Sequence, residues 1–248
     1  MTIFILGTGM RGVRSFTLEE SDIVKKSNYI YLDGYTSFLP EHFREEFEQF
    51  FHKEYIHLTR DKMEVDDYSH ILRNGEDIVI LVPGDPFIAT THISLIKGLE
   101  KTGETVEVRE NASIISSIPF KCGLSFYRFG QVVSIPKVYS NFIPVSPLTK
   151  ILVNLKNNLH TIALIDIFDG RNISTSELAE SLKKMMEKAE DESIDGRKLI
   201  IASRINQPGE KILITDLKGL PSIHEDLTPY TLIVPAKLDS NEAVFESD

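Results

Sequence analysis

The first 110 residues alternate between short apolar runs and longer segments of helical spacing. The runs are rich in β-branched and aromatic residues, which favour strands, whereas the segments between them place apolar residues three or four positions apart. The run that follows Asp77 is continuously apolar, as is typical of a strand buried on both faces of a parallel sheet. Strand and helix alternate, so we predict an α/β domain with a mainly parallel sheet, with strands at residues 2–6, 29–32, 55–58, 77–82 and 105–109.

Local signals predict the helices between these strands. Thr17 and Glu20 form a capping box, which predicts a helix from Leu18 to about Ser27. An amphipathic helix is predicted for residues 40–51, where a stripe of phenylalanines is typical of a core-facing side; its apolar side consists of Phe43, Phe47, Phe50 and Phe51. Two further helices are predicted at residues 59–72 and 88–101.

The second half of the chain predicts another α/β domain with antiparallel strands at its start. Small polar residues precede a new apolar run, so we place the boundary after Asn111 and predict domains at residues 1–111 and 112–248. Apolar runs at 124–129 and 132–136 lie at hairpin distance. Helices are predicted at Ser146-Pro147 and at the capping box of Ser174 and Glu177, the second reaching about residue 190. Strands are predicted at residues 161–167, with Asp166 at the end, and at 199–203, 212–214 and 231–234.

Composition narrows the class of protein. The chain has 248 residues, of which 42% are hydrophobic, so a globular fold with a substantial core is expected. The formal net charge of -10 argues against a surface that coats nucleic acid, although an acidic surface would assist the approach of a basic protein. Cys122 is the only cysteine, which excludes an internal disulfide. The first residues do not resemble a signal peptide and no apolar run approaches membrane-spanning length, so we expect a cytoplasmic protein.

Candidate chemistry lies where predicted strands end. Asp85 stands in a Pro-Gly-Asp-Pro turn directly after a buried strand, and Asp33 follows the second strand in the same way. Ligands of open α/β sheets bind outside the carboxyl ends of strands. An ordinary turn is the alternative explanation for either aspartate, because Asp is a common turn residue.

Other site classes find less support. Residues 7–12 read Gly-x-Gly-x-x-Gly, but the dinucleotide fingerprint needs a helix that begins inside the glycine run. Here the capping box at Thr17 places the helix later, so a glycine-rich ligand loop of another kind is favoured. The seven histidines are scattered without metal-ligand spacing. Neither a Gly-x-Ser-x-Gly elbow nor a Gly-Lys-Ser/Thr phosphate loop is present.

The motifs, taken in order along nearly the whole chain, resemble those of the archaeal diphthine synthases, which belong to the tetrapyrrole methylase superfamily. The most specific are the segment from Pro83 to His92, which reads PGDPFIATTH, and the segment Tyr-Arg-Phe-Gly that begins at Tyr127. Less specific similarities are found at residues 5–10, 31–37, 111–114, 159–161, 165–167 and 232–235.

The resemblance implies two α/β domains with a cofactor cleft between them, a folded S-adenosyl-L-methionine in that cleft, S-adenosyl-L-homocysteine as the product, and a homodimer. It implies successive methylation of the amino group of a modified histidine, 3-amino-3-carboxypropyl histidine, of translation elongation factor 2, within diphthamide synthesis. By motif, the implied cofactor contacts are Met10, Asp85, Ile88, Ser113, Ile114, Ile165, Ile205 and Tyr230.

Two alternatives stay open at this point. A methylase of the same fold could act on a small tetrapyrrole, and a binding module could hold S-adenosyl-L-methionine without transferring a methyl group. No nucleophilic side chain is required, because the cofactor carries the activated methyl. The Tyr35-Thr36-Ser37 segment is a candidate surface on the acceptor side.

Overall fold

A computed structural model describes residues 1–63, 65, 68–73, 75–139, 142–168 and 170–244. The chain divides into two compact units, Met1–Ser116 and Ser117–Asp248. The boundary predicted after Asn111 lies a few residues before this division.

The first unit alternates strands and helices in the predicted order. Its strands are β1 (Thr2–Gly7), β2 (Tyr29–Asp33), β3 (Ile56–Leu58), β4 (Ile78–Val82) and β5 (Thr105–Arg109). Its helices are α1 (Leu18–Lys26), α2 (Phe43–Phe51), α3 (Arg60–Met63) and α4 (His92–Glu100), and α5 (Ile114–Lys121) contains the division between the units. The capping box of Thr17 and Glu20 is confirmed, since Thr17 Oγ1 accepts from the Glu20 amide at 3.2 Å and Glu20 Oε2 accepts from the Thr17 amide at 2.6 Å.

The five strands form one parallel sheet in the order β3-β2-β4-β1-β5. Both faces of β4 are buried: Ile78, Ile80 and Val82 pack on the side of α4, and Val79 and Leu81 pack on the side of α2. The continuous apolar run therefore has the predicted cause, because alternate side chains enter two different cores.

Three predicted helices differ from the structure. Helix α4 begins at His92 and not at Ile88, because Ala89 has a positive φ of 57° and cannot continue a helical turn. The charged helix predicted for residues 59–72 is only Arg60–Met63, and residues 64, 66 and 67 lie outside the described part of the chain. In α2, Phe50 does not join the core: 52% of it is exposed, and its ring lies edge-on to Phe51.

The second unit contains a mixed sheet in the order β11-β10-β12-β7-β6 and a two-stranded hairpin. The antiparallel pairs are β11-β10, β10-β12 and β12-β7, whereas β6 and β7 run parallel. The strands are β6 (Val133–Ile135), β7 (Thr161–Ile165), β8 (Ile167–Phe168), β9 (Arg171–Asn172), β10 (Leu199–Ser203), β11 (Lys211–Thr215) and β12 (Tyr230–Val234), and the helices are α6 (Ser146–Lys156) and α7 (Thr175–Ala189).

The hairpin predicted at 124–136 is wrong. Residues Phe126–Arg128 form a short 3-10 helix, and β6 pairs with the distant strand β7 instead of with its sequence neighbour. Phe126 and Tyr127 are exposed, 62% and 91% respectively, so the alternation of apolar residues there is not that of a half-buried strand. The capping box of Ser174 and Glu177, by contrast, is confirmed.

A buried cluster of charged and polar groups surrounds Glu242 in the second unit. Glu242 accepts from the amides of Ser125 and Asp239, both at 2.9 Å, and pairs with Arg128. Its Oε1 also lies 3.0 Å from Nε2 of the fully buried His160. Burial raises the pKa of Glu242, but these hydrogen bonds outweigh it and lower that pKa to about 2.

Candidate functional site

The loops that carry Met10 and Asp85 lie side by side at the carboxyl edge of the parallel sheet. The Gly9 amide donates to the Gly84 carbonyl at 3.0 Å, in an isolated antiparallel bridge just beyond the parallel pair of β1 and β4. A Cβ on Gly7 would lie 2.6 Å from that same carbonyl oxygen, so this approach requires glycine. Two predicted ligand loops thus meet at the place where α/β sheets bind ligands.

Asn111 joins a third loop to these two. Its side-chain Nδ2 donates to the Gly7 carbonyl at 2.9 Å and to the Ser15 carbonyl at 3.1 Å, at the two ends of the glycine loop. Its backbone amide donates to Asp85 Oδ2 at 3.2 Å. Asn111 therefore holds the glycine loop and the turn of Asp85 in one arrangement.

Asp85 shapes its own turn. Its Oδ1 accepts from the Phe87 amide at 2.8 Å, and the side chain remains partly exposed. The backbone amide of Ile88, the next predicted contact, donates to the Asp85 carbonyl at 3.2 Å. The remaining predicted contacts of this unit, Ser113 and Ile114, lie two and three residues after Asn111, with Ser113 buried and Ile114 half-buried.

The chemistry of these loops suits a ligand of positive charge. Residues 7–10, 83–91 and 111–114 contain no lysine or arginine, and Asp85 is their only ionisable side chain; Arg11 and Arg14 lie farther along the glycine loop. Phosphate groups bind to cationic side chains or helix N-termini, whereas a sulfonium or ammonium group is attracted by a carboxylate. A Cβ atom placed on Gly84 would have no other atom within 4 Å, so open space lies beside Asp85. These features fit S-adenosyl-L-methionine, which carries a sulfonium and an ammonium.

A buried pair braces the same loop from the other side. Asp33 Oδ2 lies 3.0 Å from His92 Nε2, and His92 Nδ1 lies 3.1 Å from the Pro86 carbonyl oxygen. Asp33 Oδ1 also accepts from the amides of Tyr35 and Thr36 at 3.0 and 3.1 Å, and Oδ2 accepts from the Thr36 hydroxyl. Asp33 is fully buried, so it links the end of β2 to the turn of Asp85 and is not itself presented to a ligand.

The pKa of Asp33 lies below its ordinary value. Burial alone would raise it, since a buried carboxylate loses hydration, but hydrogen bonds from His92, Thr36 and Tyr35 outweigh that effect. Asp33 is therefore an anion that braces the loops and a poor acceptor of protons.

In the second unit, the structure brings together the three predicted contacts Ile165, Ile205 and Tyr230. Tyr230 pairs with Ser203 at the end of β10, and the amide of Arg204, one residue before Ile205, donates to the Pro229 carbonyl at 2.8 Å. All three predicted contacts are buried residues. The Tyr230 hydroxyl donates to the Ile173 carbonyl at 2.6 Å, and burial raises the pKa of Tyr230, so this hydroxyl is not a base.

Sequence reasoning missed three residues that hold the backbone around the predicted contacts. Asn111 and His92 lie inside motifs that were noticed, and Asn111 follows a predicted strand end, a position that could have marked it. Asn172 lies in a two-residue strand that carries no sequence signal; its carboxamide bonds to Ile165 and Tyr230.

Within the described residues, no set of three or more His, Cys, Asp and Glu side chains is arranged to hold a metal ion. No helix in the same part of the chain is long and apolar enough to cross a membrane.

Comparison with known proteins relates the chain to one family. Residues 2–221 match the model of the Tetrapyrrole (Corrin/Porphyrin) Methylases. The chain is 34% identical to the diphthine synthase of Thermoplasma acidophilum over 245 residues, which cover 98% of this chain and 93% of that protein. It is 37% identical to the diphthine methyl ester synthase of Saccharomyces cerevisiae over 167 residues, covering 66% of this chain and 55% of that protein.

A solved structure supports the same relation. The crystal structure of a diphthine synthase superimposes with a TM-score of 0.81 at 25% identity, covering 96% of this chain and 90% of that one. The agreement in fold therefore extends over almost all of both chains.

Proposed function

The chain belongs to the tetrapyrrole methylase family and to its diphthine synthase branch, and we propose that it is an S-adenosyl-L-methionine-dependent methyltransferase of diphthamide biosynthesis. Its substrate is translation elongation factor 2, and it methylates the amino group of 3-amino-3-carboxypropyl histidine to form diphthine. The observation that carries this proposal is the 34% identity to an archaeal diphthine synthase over 98% of the chain.

We assign the cofactor contacts to the loops described above. When bound, S-adenosyl-L-methionine supplies a methyl group that its sulfonium charge has already activated. The protein has to bind that cofactor, orient the acceptor amine and exclude water, and positioning of this kind can supply roughly 7–11 kcal/mol of the barrier. The proposed contacts are Met10, Asp85, Ile88, Ser113, Ile114, Ile165, Ile205 and Tyr230.

The side chains of the site fit a role in binding and positioning the cofactor. The partly exposed carboxylate of Asp85 offers a negative charge to a cationic cofactor, and Asn111 and the Asp33–His92 pair hold its loop. Asp33 and Tyr230 are both unsuited as bases because one is a stabilised anion and the other a buried neutral phenol. The proton that the amine loses passes to solvent in this proposal.

We further propose a homodimer in the cytoplasm, where elongation factor 2 acts. The oligomeric part is tested by sedimentation equilibrium of the purified chain, which is expected to give twice the mass of 28.1 kDa. A monomer at micromolar concentration would contradict it.

A second reaction is favoured by one observation. The similarity to the yeast enzyme, whose name specifies a methyl ester, is 37% over 167 residues. Ester formation would place a methyl on the carboxylate of the modified histidine in addition to the amine. A small tetrapyrrole as substrate remains the alternative within the wider family.

The decisive experiment is intact mass of elongation factor 2 that carries the aminocarboxypropyl histidine, after incubation with this protein and S-adenosyl-L-methionine. Added methyl masses that survive mild alkali establish methylation of the amine, and masses that alkali removes establish an ester. A known diphthine synthase on the same substrate is the positive control. Absence of added mass, with cofactor binding measured separately and the control active, would refute the proposal.

A further inference from the structure

Strands β7 and β12 separate at one end of their ladder. Their last paired residues are Leu164 and Thr231, and one more step in the same register would place Ile165 opposite Tyr230. The Asn172 carboxamide lies there instead: Nδ2 donates to the Ile165 carbonyl at 3.0 Å, and Oδ1 accepts from the Tyr230 amide at 3.0 Å. A carboxamide has the same donor and acceptor as a peptide group. It therefore takes the place of the next step of the ladder and keeps the two strand ends apart.

Asn172 is itself firmly held. It is 5% exposed and pairs with Ile167 in the β8-β9 hairpin. Its Nδ2 reaches a second carbonyl, that of Asp166, at 3.4 Å, and the neighbouring Ile173 amide donates to the same carbonyl at 3.2 Å. Any replacement that lacks the carboxamide leaves buried backbone groups without partners, and such groups are costly.

We infer that Asn172 is a positioning residue of the cofactor site, which sets the separation between the backbones of Ile165 and Tyr230. Both of these residues are assigned above as cofactor contacts, and Asn172 is hydrogen-bonded to the backbone of each. The inference rests on the proposed function. It adds a residue that does not touch the cofactor and that determines the spacing of two groups that do.

The chain offers a matched control in Asn154. This side chain is also buried, at 4% exposed, and bonds at the opposite, amino end of the same strand β7. Its Nδ2 donates to the Gln131 carbonyl and to Thr161 Oγ1, both at 2.9 Å, and its Oδ1 accepts from the Gln131 amide at 3.0 Å. The two asparagines thus have equal burial and equal numbers of hydrogen bonds, but only one lies beside proposed contacts.

The test compares Asn172→Leu with Asn154→Leu in the full chain, measuring the melting temperature and the Kd for S-adenosyl-L-methionine by calorimetry. Both variants should lose thermal stability by similar amounts. Only Asn172→Leu should raise the Kd, by about tenfold, as expected for one or two displaced hydrogen-bonding groups. Asn172→Asp keeps the acceptor for the Tyr230 amide and loses both donors, so its Kd should lie between those of the wild type and Asn172→Leu.

A measurement on the wild type keeps the test independent of variant folding. Addition of S-adenosyl-L-methionine should shift the NMR resonances of the Asn172 side-chain amide and the Tyr230 backbone amide, and leave those of the Asn154 side chain in place. Equal Kd values for folded Asn172 variants and wild type, or unshifted Asn172 and Tyr230 resonances at saturation, overturn the inference alone. A wild type that does not bind the cofactor overturns the proposed function, and this inference with it.

Discussion

Replacing Asp33 by alanine should destabilise the first unit far more than a typical aspartate substitution would. The change removes the acceptor of the Tyr35 and Thr36 amides and of the Thr36 hydroxyl, together with the carboxylate that lies 3.0 Å from His92 Nε2. Water can replace part of the bonding at Tyr35 and Thr36, which are half-buried. It cannot readily reach His92, whose side chain is 2% exposed against a fully buried carboxylate.

The contact between Asp33 and His92 therefore determines much of the free-energy cost of Asp33→Ala. Asp33→Ala leaves the buried His92 Nε2 and the amides of Tyr35 and Thr36 without their carboxylate partner, and a buried polar group left without a partner costs about 1–3 kcal/mol, so we expect a total of about 3–5 kcal/mol. Asp33→Asn retains the shape and one acceptor oxygen and should cost less, about 1–3 kcal/mol. Asp77→Ala is the matched control, since Asp77 accepts a single exposed bond, from the Thr2 amide at 2.7 Å, and its loss should cost at most about 1 kcal/mol.

The assay is urea unfolding followed by far-ultraviolet circular dichroism, with His92→Leu and the double variant completing a cycle. The single changes should be non-additive by about 0.5–3 kcal/mol, as for groups in direct contact. An Asp33→Ala protein destabilised no more than Asp77→Ala, or additive effects in the cycle, would refute the reasoning that the pair braces the loop.

Three further predictions follow from the same structure. Asp85→Ala should raise the Kd for S-adenosyl-L-methionine about tenfold by calorimetry while the chain stays folded; an unchanged Kd would remove Asp85 from the site. Gly7→Ala should lower the free energy of unfolding, because its Cβ would lie 2.6 Å from the Gly84 oxygen. Gly103→Ala meets no atom within 4 Å, so it should cost only the backbone strain of its φ of +85°, about 1–2 kcal/mol. Folding lowers the pKa of Glu242 from 4.5 to about 2, so its carboxylate contributes about 3 kcal/mol to the free energy of unfolding. This contribution is complete above the unfolded pKa and is lost as pH falls toward 2. Glu242→Gln should flatten that part of a curve of stability against pH, and an unaltered curve would contradict the assignment.

Local patterns determined much of the first unit. Three features could be predicted because each depends on residues close in sequence: the apolar run of β4, the capping box at Thr17 and the polar turn at Asp85. A strand covered on both faces needs consecutive apolar residues, and a capping box needs only two side chains three positions apart. The same locality explains why the capping box of Ser174 was predicted correctly.

Only the tertiary structure decided how distant segments meet. The apolar run at 132–136 was given the wrong partner, because its pairing with β7 depends on a strand far along the chain. Phe50 shares the apolar stripe of α2, yet the core ends before reaching it.

The candidate site also combines features that local sequence predicts with features that only tertiary packing decides. Its backbone turns follow from glycines and aspartates that the sequence displays, so the loops of Met10 and Asp85 were expected at strand ends. The side chains that hold them are Asn111 and His92, whereas Asn172 holds the backbones of Ile165 and Tyr230 in the second unit. A buried amide or imidazole has a role only when its partners are present. Those partners are brought together by the packing of the sheets and not by spacing along the chain.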